Sequence, residues 1–188
     1  KCGKLDVPGR PSLLRTTDAF LRTMGISSLD ELPELPDVGG SEGAQKLEAA
    51  IEKLIDSGAD SFIFDLRSNP GGLLSELIPL LDYILPEGDL FVSVDREGNE
   101  SVETSDKLSL KNRMVVLVNA NTYSAAEFFA AALQEYDWAT VIGEHTTGKA
   151  RSQVTLELSD GGALHISTRK YLTPNRVDLG EVGGIAPD

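Results

Sequence analysis

Apolar residues recur at two different periods along this chain, and the switches between them mark out alternating helices and strands. Ala44, Leu47, Ile51, Leu54 and Ile55 fall three or four apart, the spacing that lines one helix face, and Gly58 tolerates the left-handed stop that follows. Ser61-Phe62-Ile63-Phe64-Asp65-Leu66-Arg67 reads as a strand broken at Asn69-Pro70-Gly71-Gly72, and Leu73 to Leu85 as a second helix stopped by Pro86. Leu90 to Val94 predicts another strand, while Arg96 to Arg113 is too polar for a buried element and predicts loop and hairpin. Met114-Val115-Val116-Leu117-Val118 is continuously apolar, the pattern of a strand covered on both faces. Ser124 to Gln134 is Ala-rich and helical, and Ala139 to Ile142 gives one more short strand. Past a turn at Gly148, the stretches Gln153 to Leu158 and Ala163 to Leu172 flank Ser159-Asp160-Gly161-Gly162, a hairpin signal.

Alternation from Ala44 to Ile142 predicts an α/β fold: a mostly parallel sheet with right-handed crossover helices, to which a C-terminal antiparallel hairpin is added. The first 40 residues read differently. Pro8, Pro11, Pro33 and Pro36 bracket a short helical stretch from Thr17 to Met24, and Val38-Gly39-Gly40 has the composition of a linker. The boundary is placed near Gly40, with residues 1–40 a short appendage and residues 41–188 the main domain. A chain of 188 residues, 40% hydrophobic, has material for such an arrangement but not for two full domains. Its net charge of -13 argues against a nucleic-acid partner, because contact with a phosphate backbone relies on Lys and Arg displacing cations. With Cys2 as the lone cysteine, neither an internal disulfide nor a thiolate metal cluster is available. No apolar run approaches the roughly 20 residues a bilayer crossing needs. Opening on Lys1, with neither an initiator Met nor a signal peptide, the chain is expected to be a piece of something longer.

In open α/β sheets reactive groups gather where strands end and helices begin, since loops converge there and helix N-termini offer free N–H groups. Ser124 occupies such a place, after the strand Met114 to Val118 and at the first turn of the next helix. Serine is also a common helix cap, so position alone leaves both readings open. As a nucleophile it would need a base, because its hydroxyl is hardly ionised at neutral pH. His145, His165 and Lys149 are the candidates. His165 falls in an alternating strand, where an ordinary structural histidine is the simpler account. Lys149 follows Gly148 in a loop expected at the same end of the sheet as Ser124, and a lysine amine held out of water can accept a serine proton.

Three segments together carry more than any of these residues singly. Asp65-Leu66-Arg67-Ser68-Asn69-Pro70-Gly71-Gly72, Asn121-Thr122-Tyr123-Ser124-Ala125-Ala126-Glu127 and Gly143-Glu144-His145-Thr146-Thr147-Gly148-Lys149 resemble, in that order, the carboxyl-terminal processing (tail-specific) proteases of peptidase family S41. The resemblance runs from about residue 41 to the end, through Tyr171-Leu172-Thr173-Pro174-Asn175 and Gly183-Gly184-Ile185-Ala186-Pro187-Asp188. It implies a ClpP/crotonase-like core, with Ser124 as nucleophile, Lys149 as general base and Gln153 orienting the lysine amine. Backbone N–H groups of Ala125 and of Gly71 or Gly72 would face the developing oxyanion. Glu127 matches the family's acidic position and is read as stabilising the first helical turn.

The implied reaction is peptide-bond hydrolysis through an acyl-enzyme, with no metal and no cofactor. Implied substrates are proteins with apolar C-terminal tails, held as an extended strand along a sheet edge. The implied location is extracytoplasmic, in a bacterial cell envelope or secreted. Family members usually carry a PDZ domain before the catalytic core and a strand before the helix at Ala44, and they continue beyond the position of Asp188. A reading of another class keeps the protease fold as a non-catalytic binding or assembly module. Separately, Pro8-Gly9-Arg10-Pro11, Thr16 to Leu21 and Ser27 to Pro33 resemble the end of segregation and condensation protein B, which leaves open a fusion, an artefact or a sequence assembled from two sources. Charges there are nearly balanced and give no DNA-binding footprint.

Overall fold

The computed structural model describes residues 3–4, 12–13, 42–158 and 161–188, and these fall into two compact units. In the smaller unit β1 (Gly3–Lys4) pairs antiparallel with β2 (Ser12–Leu13), Gly3 opposite Leu13. The helix expected from Thr17 to Met24, the linker at 38–40 and the hairpin tip at 159–160 lie outside the described residues.

The larger unit, Gly39–Arg151 with Arg169–Asp188, is built around a three-stranded parallel sheet. Helix α1 (Glu42–Asp56) buries Ala44 and Ile51 of the expected face but leaves Leu54 and Ile55, in its last turn, exposed, and it leads to β3 (Ser61–Asp65). Helix α2 (Leu74–Ile84) buries Leu77, Leu81 and Ile84. Strands β4 (Gly88–Val94) and β5 (Glu100–Ser105) follow, then β6 (Arg113–Val118), helix α3 (Ala125–Glu135) and β7 (Ala139–Gly143). The central strand is β6, which pairs Phe62 with Met114 on one side and Val116 with Val141 on the other. Met114, Val116 and Val118 gather with Ile51, Leu77 and Phe129 in the main core. The alternate residues Val115 and Leu117 are only half-buried, so β6 is covered fully on one face rather than on both.

The antiparallel component is larger than a late hairpin. Strand β4 does not join the parallel sheet but pairs with β5, Val92 opposite Val102. Asp95 explains this: its Oδ1 accepts the N–H groups of Glu97 (3.0 Å) and Asn99 (2.8 Å), folding the polar stretch into a tight turn where a crossover would need a helix. The other edge of β4 takes the last residues of β9 (Ala163–Leu172), Val92 opposite Leu172. The rest of β9 pairs with β8 (Arg151–Glu157) within the smaller unit, where Thr155 Oγ1 meets His165 Nδ1 at 2.9 Å.

Helix α3 holds the larger unit together. It is buried on every side from Ala125 to Leu133, as an all-round apolar helix should be. Phe129 meets Phe64 of β3 edge-on at 5.3 Å, and Phe128 meets Phe91 of β4 at 5.1 Å, so one helix packs against both sheets. The outer edge of β7 is closed by the end of the chain, where Asp188 N–H donates to Val141 O (2.9 Å) and Val141 N–H to Asp188 Oδ2 (2.7 Å). Before that end, helix α4 (Leu179–Val182) is capped by Asp178 and stopped by the left-handed Gly183.

Candidate active site

The three parallel strands end at the same side of their sheet, and three loops leave from there: 66–73 after β3, 119–124 after β6 and 144–150 after β7. Main-chain and short polar groups fasten them together. Thr122 Oγ1 donates to Leu66 O (2.8 Å), Tyr123 N–H to Asn69 O (3.0 Å) and Ser68 N–H to Asn119 Oδ1 (2.8 Å), which joins the first loop to the second. Thr147 joins the third, through its N–H to Thr122 O (3.2 Å) and its hydroxyl to Ala120 O (2.9 Å). At the exit of β3 the Arg67 guanidinium grips Asp65 through Nε (2.9 Å) and Nη2 (2.7 Å). That contact, helped by the Arg67 N–H, lowers the Asp65 carboxyl to about 2.

Ser124 caps α3 with φ 56° and ψ -124°, a region that L-residues rarely occupy. The sharp turn leaves Ala125 as the first residue of the helix, with no carbonyl one turn earlier for its N–H to reach. Among the described residues that N–H has no acceptor. Gly71 packs directly against it: a Cβ on Gly71 would stand 2.7 Å from Ala125 N and 2.5 Å from Tyr123 O, and φ at Gly71 is 79°. Only glycine fits there. The N–H of Gly71 itself points to Asn69 Oδ1 (2.9 Å), whereas among the described residues that of Gly72, which is exposed, has no acceptor.

Lys149 is half-buried, with Nζ 5.0 Å from the centre of the Tyr123 ring. Its main chain and that of Ser124 meet on one atom. Glu127 Oε2 accepts from Ser124 N–H (2.8 Å) and from Lys149 N–H (2.9 Å), and Oε1 accepts from Thr146 Oγ1 (2.6 Å) and Gly148 N–H (2.6 Å). Glu127 is 0% exposed. Thr146 is braced in turn by Ile185: its N–H donates to Ile185 O (3.1 Å), and its Oγ1 accepts the Ile185 N–H (2.8 Å). Gln153 lies on an exposed part of β8 that belongs to the smaller unit. His145 is exposed, its Nδ1 3.4 Å from Thr146 O, and His165 pairs with Thr155 in the smaller unit. Among the described residues no group of His, Cys, Asp and Glu could hold a metal ion.

A cavity of about 300 Å³ opens beside Gly71, Gly72 and Ala125. Leu47, Phe64, Leu66, Leu77 and Phe129 line it, and Glu76 stands at its wall, where Oε2 accepts the Ala44 N–H at the start of α1 (2.6 Å).

The sequence matches peptidase family S41 over residues 25–188. The chain belongs to this family. A carboxyl-terminal-processing protease of Synechocystis is 42% identical over 140 residues, 74% of this chain and 33% of the relative. Carboxyl-terminal-processing peptidase 1 of Arabidopsis chloroplasts is 38% identical over 145 residues, 76% of this chain and 29% of the relative. The chain therefore spans about a third of the length of these S41 relatives. Among solved structures, a photosystem II D1 C-terminal processing protease superposes with a TM-score of 0.71 at 28% identity, over 86% of this chain and 45% of that one. A lipoprotein of Streptococcus agalactiae, at 22% identity and a TM-score of 0.62 over 78% of this chain and 55% of that one, shares the fold. Residues 1–35 match a different family, the segregation and condensation complex subunit ScpB.

Two parts of this candidate site were not read from sequence as more than local features. Glu127 is the larger: beyond serving the first turn of α3, its carboxylate carries the lysine loop. Its signals in the sequence were the match to the family's acidic position and its place as the lone acidic residue inside the otherwise apolar Ala125 to Leu133. Thr146 is the other, a hydroxyl buried between Glu127 and the Gly184-Ile185 turn.

Proposed function

We propose that this chain carries the catalytic centre of a tail-specific serine endopeptidase that cleaves proteins near their C-termini, with Ser124 and Lys149 as the reacting pair. The observation that supports it most is the shared Glu127 oxygen: it draws the serine turn and the lysine loop, far apart in sequence, onto one point. The Lys149 amine, in its neutral form, takes the Ser124 Oγ proton as Oγ bonds to the substrate carbonyl carbon. The carbonyl oxygen, now negative, lies against the N–H groups of Ala125 and Gly72, neither of which has an acceptor among the described residues, with Gly71 giving the clearance. Collapse breaks the C–N bond, and the departing amine takes the proton from Lys149. Water then repeats the sequence to release the acid and restore Ser124.

The apolar cavity beside Ala125 fits the aliphatic side chain of a residue preceding the cut, which suits substrates with apolar tails. We place the reaction outside the cytoplasm as part of the same proposal.

Hydrolysis of unstructured, internally quenched peptides tests the assignment. Ser124→Ala and Lys149→Ala should each lower kcat/KM by about 10³-fold or more. His145→Ala and His165→Ala should leave it within about threefold, as neither is assigned a role in the reaction. Unchanged cleavage by Ser124→Ala, or loss of cleavage in His145→Ala with Lys149→Ala still active, would overturn the pairing of Ser124 with Lys149.

A further inference from the structure

We infer that Glu127 is a positioning residue that couples the nucleophile to its base, over and above its place in the first turn of α3. This rests on the reading of Ser124 and Lys149 as the reacting pair. A carboxylate has two oxygens and about four acceptor sites. In Glu127 all are taken by donors that cannot turn away: three main-chain N–H groups and a buried hydroxyl. Two of the donors belong to the reacting residues themselves. Because Oε2 accepts from both, the main chains of Ser124 and Lys149 cannot separate by more than those two bonds allow.

The bonds act on different problems. Ser124 is held at φ 56°, where an L-residue stays only if its surroundings over-determine it, and the bond from its N–H to Glu127 is one such restraint. The 144–150 loop has no regular structure, so the position of the Lys149 side chain depends on where its main chain is tied. Gly148 and Lys149 are tied to Glu127, and Thr146 carries the restraint onward to Ile185. A helix-capping glutamate would need only the Ser124 N–H. The three bonds to the lysine loop are unexplained by capping and are accounted for by alignment of the base.

Glu127→Gln is the discriminating change, because it keeps size and shape. Whichever way the amide turns, its NH2 faces two donors where an acceptor is required. Displacement of the lysine by about 1 Å lowers the rate by about 100-fold, so Glu127→Gln should reduce kcat by about that factor with KM nearly unchanged. In a Lys149→Ala background the same change should cost less than about threefold, since no base remains to be misplaced. Equal losses in the two backgrounds would show that Glu127 serves the fold alone. Hydrogen exchange of the Ser124, Gly148 and Lys149 amides tests the clamp without turnover: each should speed up at least about tenfold in Glu127→Gln relative to the α3 interior. Unchanged exchange contradicts the clamp. Faster exchange in Glu127→Gln, with a wild-type chain that cleaves nothing, leaves the clamp standing and sinks the protease reading instead. Should Glu127→Gln fail to fold, Thr146→Val against Thr146→Ser repeats the comparison, with the hydroxyl of serine expected to restore the rate and a slow Thr146→Ser to count against it.

Discussion

Ser124 sits where an L-residue pays about 1–3 kcal/mol in backbone strain. Alanine there would keep the Cβ and the strain, while glycine would release it at an unfolded-state cost of about 0.5–1 kcal/mol. Denaturant unfolding should therefore find Ser124→Gly more stable than Ser124→Ala by about 1 kcal/mol. The reverse order would mean that the turn is relaxed. Such strain is invisible in the sequence, where Ser-Ala-Ala-Glu reads simply as a helix start. Ser124, Lys149 and the glycine pair were singled out by the resemblance to family S41, because position alone leaves a helix-start serine and a loop lysine open to structural readings. Which glycine does what was not: Gly71 and Gly72 are equivalent on paper, and only the approach of Gly71 to Ala125, with its own N–H turned to Asn69, separates them. Glu127 was misjudged in scope for a related reason, since three of its four donors arrive from a loop that follows another strand.

Elements with a long, consistent period were legible nearly to their ends. Helix α1 and strand β6 follow directly from the spacing of Ala44 to Ile55 and the run Met114 to Val118. Strand partners were less so, because β4 could serve either sheet and the choice was made by the Asp95 turn and by the edge offered to Leu172. The 144–150 loop of the candidate site depends on a similar contact of distant parts. Gly148 has φ 87°, and a Cβ there would lie 2.8 Å from Gly183 C and 2.9 Å from Leu179 O, at the α4 turn. Gly148→Ala therefore meets both a left-handed backbone penalty of about 1 kcal/mol and an overpacking cost of similar size. A loss of about 2 kcal/mol in unfolding free energy is expected, along with activity, because the displaced residue is next to Lys149. Unaltered stability would show that the α4 turn yields, and that it does not fix the loop.

At the scale of the molecule, helix α3 ties function to fold. Its flanks join the parallel sheet at Phe64 to the antiparallel one at Phe91, and its first turn presents Ser124, Ala125 and Glu127 to the loops. Family S41 membership is shown by the sequence, and under the proposed function the cavity beside Ala125 would take an apolar side chain. What joins these is the identity of the atom that bonds to substrate. Rapid acid quench of the chain mixed with an activated peptide ester, followed by peptide mapping in a mass spectrometer, reads that atom directly. A Ser124 nucleophile served by Lys149 should appear as an acyl group on Ser124, formed quickly in the wild type and hardly at all in Lys149→Ala. An acyl group on any other residue, or one that forms on Ser124 equally fast without the lysine, would contradict that pairing.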